Sequence, residues 1–359
     1  MWRWPTVLAL GACGSPAKAP PDAPPAPWTT SVSTLVDSAG VARRLEPGVT
    51  SIGTQLVVAG GIVDTIEEGE MITTKVEVLD TTVDPPVWSE PWPDLPVSWT
   101  HIQMAAVGTT VYLLGGLSGA EFTAHTDAFR LDTQSSPLVW QSIAPLPSSF
   151  ERGSAAVIVA APRIYLLGGA GTNFALATNL YYDLEMDAWC PGAACPSGPT
   201  IPDLPAPRSH PAGMRRSDGT LVLAGGLTTL DSSEPDADVF WLPPQPATGP
   251  WEWQTKTPMP SPKGGCAYAV LGERMICAGG EASQNALHTN YAYDPNADTA
   301  PTPPTTPPWT TLADMPAARA GAPGAAVGQR LFVPGGAEQL VIQPTDTLFI
   351  YDALLDTSL

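Results

Sequence analysis

The 359-residue chain is poor in positive charge: 16 basic residues face 35 acidic ones, and the formal net charge is −19. That balance argues against nucleic acid or anionic lipid as partners, because both need basic patches. Histidine is scarce, at four residues, so few side chains are available for metal ligation or for acid–base work near neutral pH. No apolar run approaches the length of a membrane-spanning helix. Helix-period patterning is absent. So are a GxSxG elbow, a phosphate-binding P-loop and an HExxH zinc motif. Five cysteines occur, and C-x4-C at Cys190 and Cys195 has no second pair nearby to complete a zinc site.

Glycine (33) and proline (42) are plentiful instead, and apolar residues make up 43%. Short strands with Gly/Pro turns are therefore expected, and with them an all-β protein. Six short apolar runs end in a glycine pair: Leu56 to Gly61, Tyr112 to Gly116, Tyr165 to Gly169, Leu221 to Gly226, Met275 to Gly280 and Leu331 to Gly336. Their first glycines are spaced 55, 53, 57, 54 and 56 residues apart. A period that regular signals a repeat architecture, which overrides the two or three domains that length alone suggests. Each run is continuous rather than alternating, so both faces of the strand are expected to be buried between neighbouring units.

The rest of the unit recurs around each pair. Upstream lies a Pro-rich turn and then a basic residue: Arg44, Arg152, Arg208, Lys263 and Arg319, with Trp99 as the exception. Downstream comes an aromatic strand ending near Asp, as in Tyr181 to Asp183, Tyr291 to Asp294 and Phe349 to Asp352, then a tryptophan: Trp88, Trp140, Trp189, Trp251 and Trp309. The fourth unit departs, since Val239 to Pro244 (VFWLPP) lacks the Asp. Six such units in register resemble the kelch repeat over about Trp28 to Leu359. The resemblance implies an all-β, six-bladed kelch-type β-propeller with one four-stranded blade per repeat. The sixth unit ends before any tryptophan, while Trp28 has no glycine pair before it. Trp28 is thus expected in the fourth strand of the last blade, closing the ring from the N-terminal side and removing an open edge.

The chain is expected to divide into residues 1–12, a signal peptide; 13–27, a Pro/Ala-rich tether after a lipidated Cys; and 28–359, the propeller. Arg3, the short apolar run Pro5 to Leu10 and the small residues before Cys13 have the layout of a secretory signal. Leu10 to Cys13 also looks like a bacterial lipobox, which would make Cys13 a lipidated N-terminus. A Pro/Ala-rich segment follows and suits an extended spacer. The expected location is the bacterial cell envelope, lipid-anchored in the outer membrane or facing the periplasm. Cysteine usage agrees with an oxidising compartment: Cys190 with Cys195 in one loop, and Cys266 with Cys277 on adjacent strands, the latter also consistent with free buried thiols.

Antiparallel strands place the loops after the glycine pairs at the same face as the residues that follow the basic positions. Kelch propellers often bind ligands there. The positions two after the basic site are Glu46, His101, Ser154, His210, Gly265 and Gly321: a polar half and a bare half. The ligand site is expected at this mouth, formed by Glu46, His101, Ser154 and His210 with Arg44, Arg152, Arg208 and Arg319. His125 and His288 precede recurring Thr-Asx pairs, which read as strand-entry hydrogen bonding. No catalytic residue, metal ligand set or cofactor is assigned. The expected partner is a protein or a carbohydrate, bound by a monomeric propeller that does not bind nucleic acid and meets the membrane only through its anchor. The rival expectation is a sugar-active enzyme, mutarotase/epimerase-like or metal oxidase-like, with its site in the central channel mouth, where Glu46 and His101 could serve as acid–base groups.

Overall fold

Residues 25–35, 43–66, 69–192, 195, 199–299 and 306–359 are described by a computed structural model. The expected signal, the tether up to residue 24 and Cys13 lie outside them.

Each apolar run is the second strand of a four-stranded antiparallel sheet. In the first blade Gly48–Ile52, Gln55–Ala59, Val76–Asp80 and Val87–Ser89 pair in that order, from axis to rim. The other blades repeat the order. Their inner strands are Met104–Val107, Ala156–Ala160, Ala212–Arg215, Ala267–Leu271 and Ala325–Val327. The continuous runs are apolar because the two faces meet different neighbours. Val57 and Ala59 pack on blade 2 beside Val111 and Leu113. Leu56 and Val58 pack on blade 6 beside Phe332 and Leu348. Blade 3 does the same, with Leu167 and Tyr181 facing blade 4, and Leu166 and Tyr182 facing blade 2. The core is therefore a ring of interblade layers, and no single blade buries its own faces.

The glycine pairs stitch blades together. In five of the six blades the second glycine of the pair donates its N–H to the carbonyl of the basic position in the next blade, or of Trp99 in its place: Gly169 to Arg208 at 2.7 Å, Gly226 to Lys263 at 2.9 Å, Gly280 to Arg319 at 2.8 Å, Gly336 to Arg44 at 2.7 Å and Gly61 to Trp99 at 2.9 Å. Gly226 shows why glycine is needed. Its φ is 102°, and a Cβ there would lie 2.8 Å from the Ser209 carbonyl oxygen. Between blades 2 and 3 the Gln103 amide serves instead, donating to the Arg152 carbonyl at 3.2 Å.

Ring closure follows the expectation. Trp28–Thr30 pairs antiparallel with Leu348–Asp352, Trp28 opposite Tyr351, and completes the sixth sheet. The Trp28 indole donates to the Ala313 carbonyl at 2.9 Å, a linker of the preceding blade. Trp140, Trp189 and Trp309 repeat this rivet onto Pro93, Ala144 and Thr257. In blade 4 the rivet is Trp253, which donates to Pro202 at 2.9 Å, and not Trp251. Trp251 instead braces the loop after Val239–Leu242, donating to Pro243 at 2.7 Å. That loop lacks the Asp whose side chain elsewhere caps the turn, as Asp183 does for the N–H groups of Glu185 and Met186.

Both cysteine pairs are at disulfide distance, with Cα separations of 5.3 Å for Cys190–Cys195 and 5.4 Å for Cys266–Cys277.

Candidate functional site at the channel mouth

The chain passes from each basic position inward and then turns down into the inner strand. The turning residue takes a left-handed conformation in all six blades. Glu46, His101, Ser154 and His210 have φ of 51°, 55°, 49° and 53°; Gly265 and Gly321 have 61° and 59°. Consecutive turning residues are joined N–H to carbonyl. Glu46 donates to Gly321, His101 to Glu46, Ser154 to His101, His210 to Ser154, and Gly265 to His210, at 2.8 to 3.1 Å. A collar of backbone hydrogen bonds thus rims the axis. Left-handed backbone costs a residue with a Cβ of order 1–3 kcal/mol. Two blades avoid that cost with glycine and four do not, which makes the four side chains the notable feature of the mouth.

Those side chains converge on the axis. The Ser154 hydroxyl and His210 Nε2 are hydrogen-bonded at 2.9 Å. Glu46 Oε1 lies 4.0 Å from His101 Nε2 and 3.9 Å from His210 Nε2. The two imidazoles meet edge to face, centroids 5.4 Å apart, and Phe122 packs against the other side of His101 at 5.3 Å. Gly321 leaves room for the carboxylate, since a Cβ there would sit 2.9 Å from Glu46 Oε1. Below the collar is a cavity of about 340 Å³ lined largely by inner-strand residues such as Val49, Ala105, Val157 and Ala269. The Tyr268 hydroxyl reaches past blade 4 to accept the Val157 N–H at 2.9 Å, so the channel narrows under the mouth.

Burial sets the protonation of the group. It pushes the Glu46 carboxyl up to about 8, with Glu281 adding repulsion. Glu281, just after the glycine pair of blade 5, is pushed up to about 7 by burial and then by Asp231. Burial pulls His210 down to about 4, and pulls His101 well below its ordinary value, with His210 adding to the effect. At neutral pH the mouth therefore holds a protonated carboxyl beside two neutral imidazoles.

The four arginines expected at the mouth are not there. Arg44, Arg152, Arg208 and Arg319 are at most 2% exposed and sit inside the blades. Arg152 donates to the carbonyls of Gly168 and Thr178 and to the Thr178 hydroxyl. Lys263 does the same for Gly279 and Thr289. Arg44 pairs with Glu77, which is equally buried. Arg208 pairs with Asp236 at 2.6 Å, so part of the acidic loop 231–238 is spent inside its own blade. Arg319 pairs with Glu338 at 3.3 Å. These cations satisfy the carbonyls and acids where the second strand ends and the third begins, and their charge does not reach the cavity. Trp99 replaces the cation in blade 2 by stacking on His125 at 5.6 Å. His125 is further held by Ser118 at 2.6 Å, and His288 is largely exposed beside Asp314.

The sequence assigned no metal ligand set, and His101 and His210 come from different blades. The fold gathers them: donor atoms of Glu46, His101 and His210 all lie within 4.8 Å of one another, the one such group among the described residues. Glu281 was missed because nothing in its loop marks it; only the ring brings it to Glu46.

No family model matches the chain. Among curated proteins it is 28% identical to Kelch-like protein terF of Aspergillus terreus, over 92% of this chain and 69% of that protein. Identity to Kelch-like protein 25 of Xenopus tropicalis is 26%, over 74% of this chain and 41% of the relative. A shorter match, 29% identical over 28% of this chain and 26% of the other, is to the N-acetylneuraminate epimerase of Yersinia enterocolitica. This chain thus spans less than half the length of the latter two relatives.

Proposed function

We propose that this six-bladed β-propeller, similar to Kelch-like proteins, is an exported, membrane-tethered binding scaffold that takes a protein segment or a glycan at the collar mouth. One observation carries the reading: four side chains, Glu46, His101, Ser154 and His210, are kept at left-handed positions that glycine fills without strain elsewhere in the same ring. Conformational cost accepted at one end of the axis, with a cavity directly beneath, favours a ligand at that end. The Pro/Ala-rich segment 14–27 is the spacer, and lipidated Cys13 is the anchor that places the body in the cell envelope.

The test has two arms. Purified protein and the variant Ser154→Gly/His210→Gly, which relieves strain while removing polar contacts, are compared for capture of protein partners from an envelope extract and for binding to a glycan array. Mouth-dependent binding to either supports the scaffold. Equal binding by the variant moves the site elsewhere on the propeller.

A second reading, a sugar-active mutarotase- or epimerase-like enzyme, is favoured by the proton-carrying Glu46 next to neutral His210, an acid and a base within one cup. The partial match to an epimerase of N-acetylneuraminate points to acidic sugars as the first substrates to try. Anomer exchange of N-acetylneuraminate followed by NMR would be accelerated by the chain and lost in Glu46→Gln if this reading holds.

A further inference from the structure

The collar has the composition and spacing of a metal site. Two imidazole nitrogens and one carboxylate oxygen, from blades 1, 2 and 4, face one another across the axis with separations of 3.9 and 4.0 Å between Glu46 Oε1 and the two Nε2 atoms. All three donors fall within 4.8 Å of one another. Zinc holds nitrogen and oxygen donors at about 2.0–2.2 Å. Small side-chain rotations, well under about 1 Å at each donor, bring the three to that distance from one point. We propose that Glu46, His101 and His210 bind one divalent cation of the zinc class at the mouth of the propeller. The inference goes beyond the scaffold reading and rests on it only in placing the ligand seat at this face.

Several features of the site fit such an ion. Backbone hydrogen bonds of 2.8 to 3.1 Å link Glu46, His101 and His210 to one another through Ser154 and hold Glu46 to Gly321, so the donors are presented by a hydrogen-bonded frame and not by a loop. Phe122 holds the His101 ring from behind. Gly321 keeps clear the space that the Glu46 carboxylate occupies. Glu281 faces the gap left by Gly265, its Oε1 3.6 Å from where a Cβ at 265 would stand. Two imidazoles with a carboxylate suit zinc, cobalt or nickel; calcium and magnesium prefer oxygen donors throughout. Three protein ligands leave a coordination position open, as in sites that take an exchangeable water or ligand, and the bare half of the collar at Gly265 and Gly321 gives access to it. Ser154 now occupies His210 Nε2 at 2.9 Å and would turn its hydroxyl to the incoming ion's water.

The experiment uses the full chain, stripped with EDTA and dialysed. Zinc chloride is titrated by calorimetry, and cobalt(II) by its visible absorption, which reports coordination geometry. One ion per chain is expected. Affinity falls at least tenfold in each of His101→Asn, His210→Asn and Glu46→Gln. Asparagine tolerates the left-handed backbone, and thermal melts confirm that each variant is folded; if either histidine variant fails to fold, Glu46→Gln decides. His288→Asn, altering an exposed histidine away from the mouth, changes nothing. The proposal is overturned by absence of stoichiometric zinc binding, by binding that survives all three ligand substitutions, by binding lost in His288→Asn, or by equal affinity for calcium. Zinc binding that fails while mouth-dependent partner capture persists removes the metal and leaves the scaffold. Zinc binding without mouth-dependent capture does the reverse.

Discussion

At the scale of residues, the recurring cations are internal fasteners. Arg152 bridges the carbonyls of two strand ends in blade 3, and Lys263 does so in blade 5. Arg152→Lys should therefore be tolerated far better than Arg152→Ala. The alanine variant strands buried acceptors at about 1–3 kcal/mol each, and urea denaturation of the three proteins would show the order. The mouth carboxyls make a different prediction. Glu46 and Glu281, facing His101, His210 and Asp231, are raised to about 8 and about 7. Both carry a proton in the folded protein at pH values where the unfolded chain, with carboxyls near 4.5, has released it. The folded state thus binds more protons between pH 4.5 and about 8, and the metal-free protein loses stability as pH rises through that window. In Glu46→Gln the slope of melting temperature against pH should be visibly shallower over the same range. An unchanged slope would mean that Glu46 is ionised in the fold.

At the scale of elements, the fourth strand of a blade is short and is held by one indole. Trp140 is 9% exposed and donates to Pro93 of the linker before its blade. Trp140→Ala should cost about 3–5 kcal/mol by chemical denaturation; a loss below about 1 kcal/mol would be incompatible with a buried wedge. Blade 4 allows an internal comparison. Trp253 makes the interblade hydrogen bond and Trp251 only braces a turn in its own blade, so Trp253→Ala should destabilise more than Trp251→Ala. Sequence spacing pointed to Trp251. The two-residue difference arises because VFWLPP lacks the Asp that shapes the following turn, and the loop before the fourth strand takes a different path. Periodicity locates strands well, but it cannot choose between two tryptophans two residues apart just before the fourth strand, Gln254–Lys256.

At the scale of the whole molecule, stability depends on closing a circle of interblade layers. Trp28 is contributed from the other end of the chain, packs 5.1 Å from Tyr351 and fills the last outer position. Trp28→Ala should lower the melting temperature as much as Trp140→Ala does, although it lies beside the chain's N-terminal segment, where substitutions usually cost little. The tether is tested separately. If Cys13 carries the proposed lipid, the unaltered protein incorporates labelled fatty acid and Cys13→Ala does not, with the melting curve unchanged; equal labelling of the two proteins would rule the anchor out.

The number of blades, the strand that each apolar run forms, the closing strand at Trp28 and the four polar positions of the collar are legible in the chain, because each rests on period and local backbone chemistry. Which charged groups meet depends on the closed ring. The folded ring sends Arg44, Arg152, Arg208 and Arg319 into the blades, where they pair with buried carbonyls and with acids at the strand ends. It also brings Glu46, His101, His210 and Glu281 together from blades 1, 2, 4 and 5. Residues separated by 55 to 235 positions in the chain become neighbours only when six wedges close around an axis, and no local pattern encodes the distance across that ring.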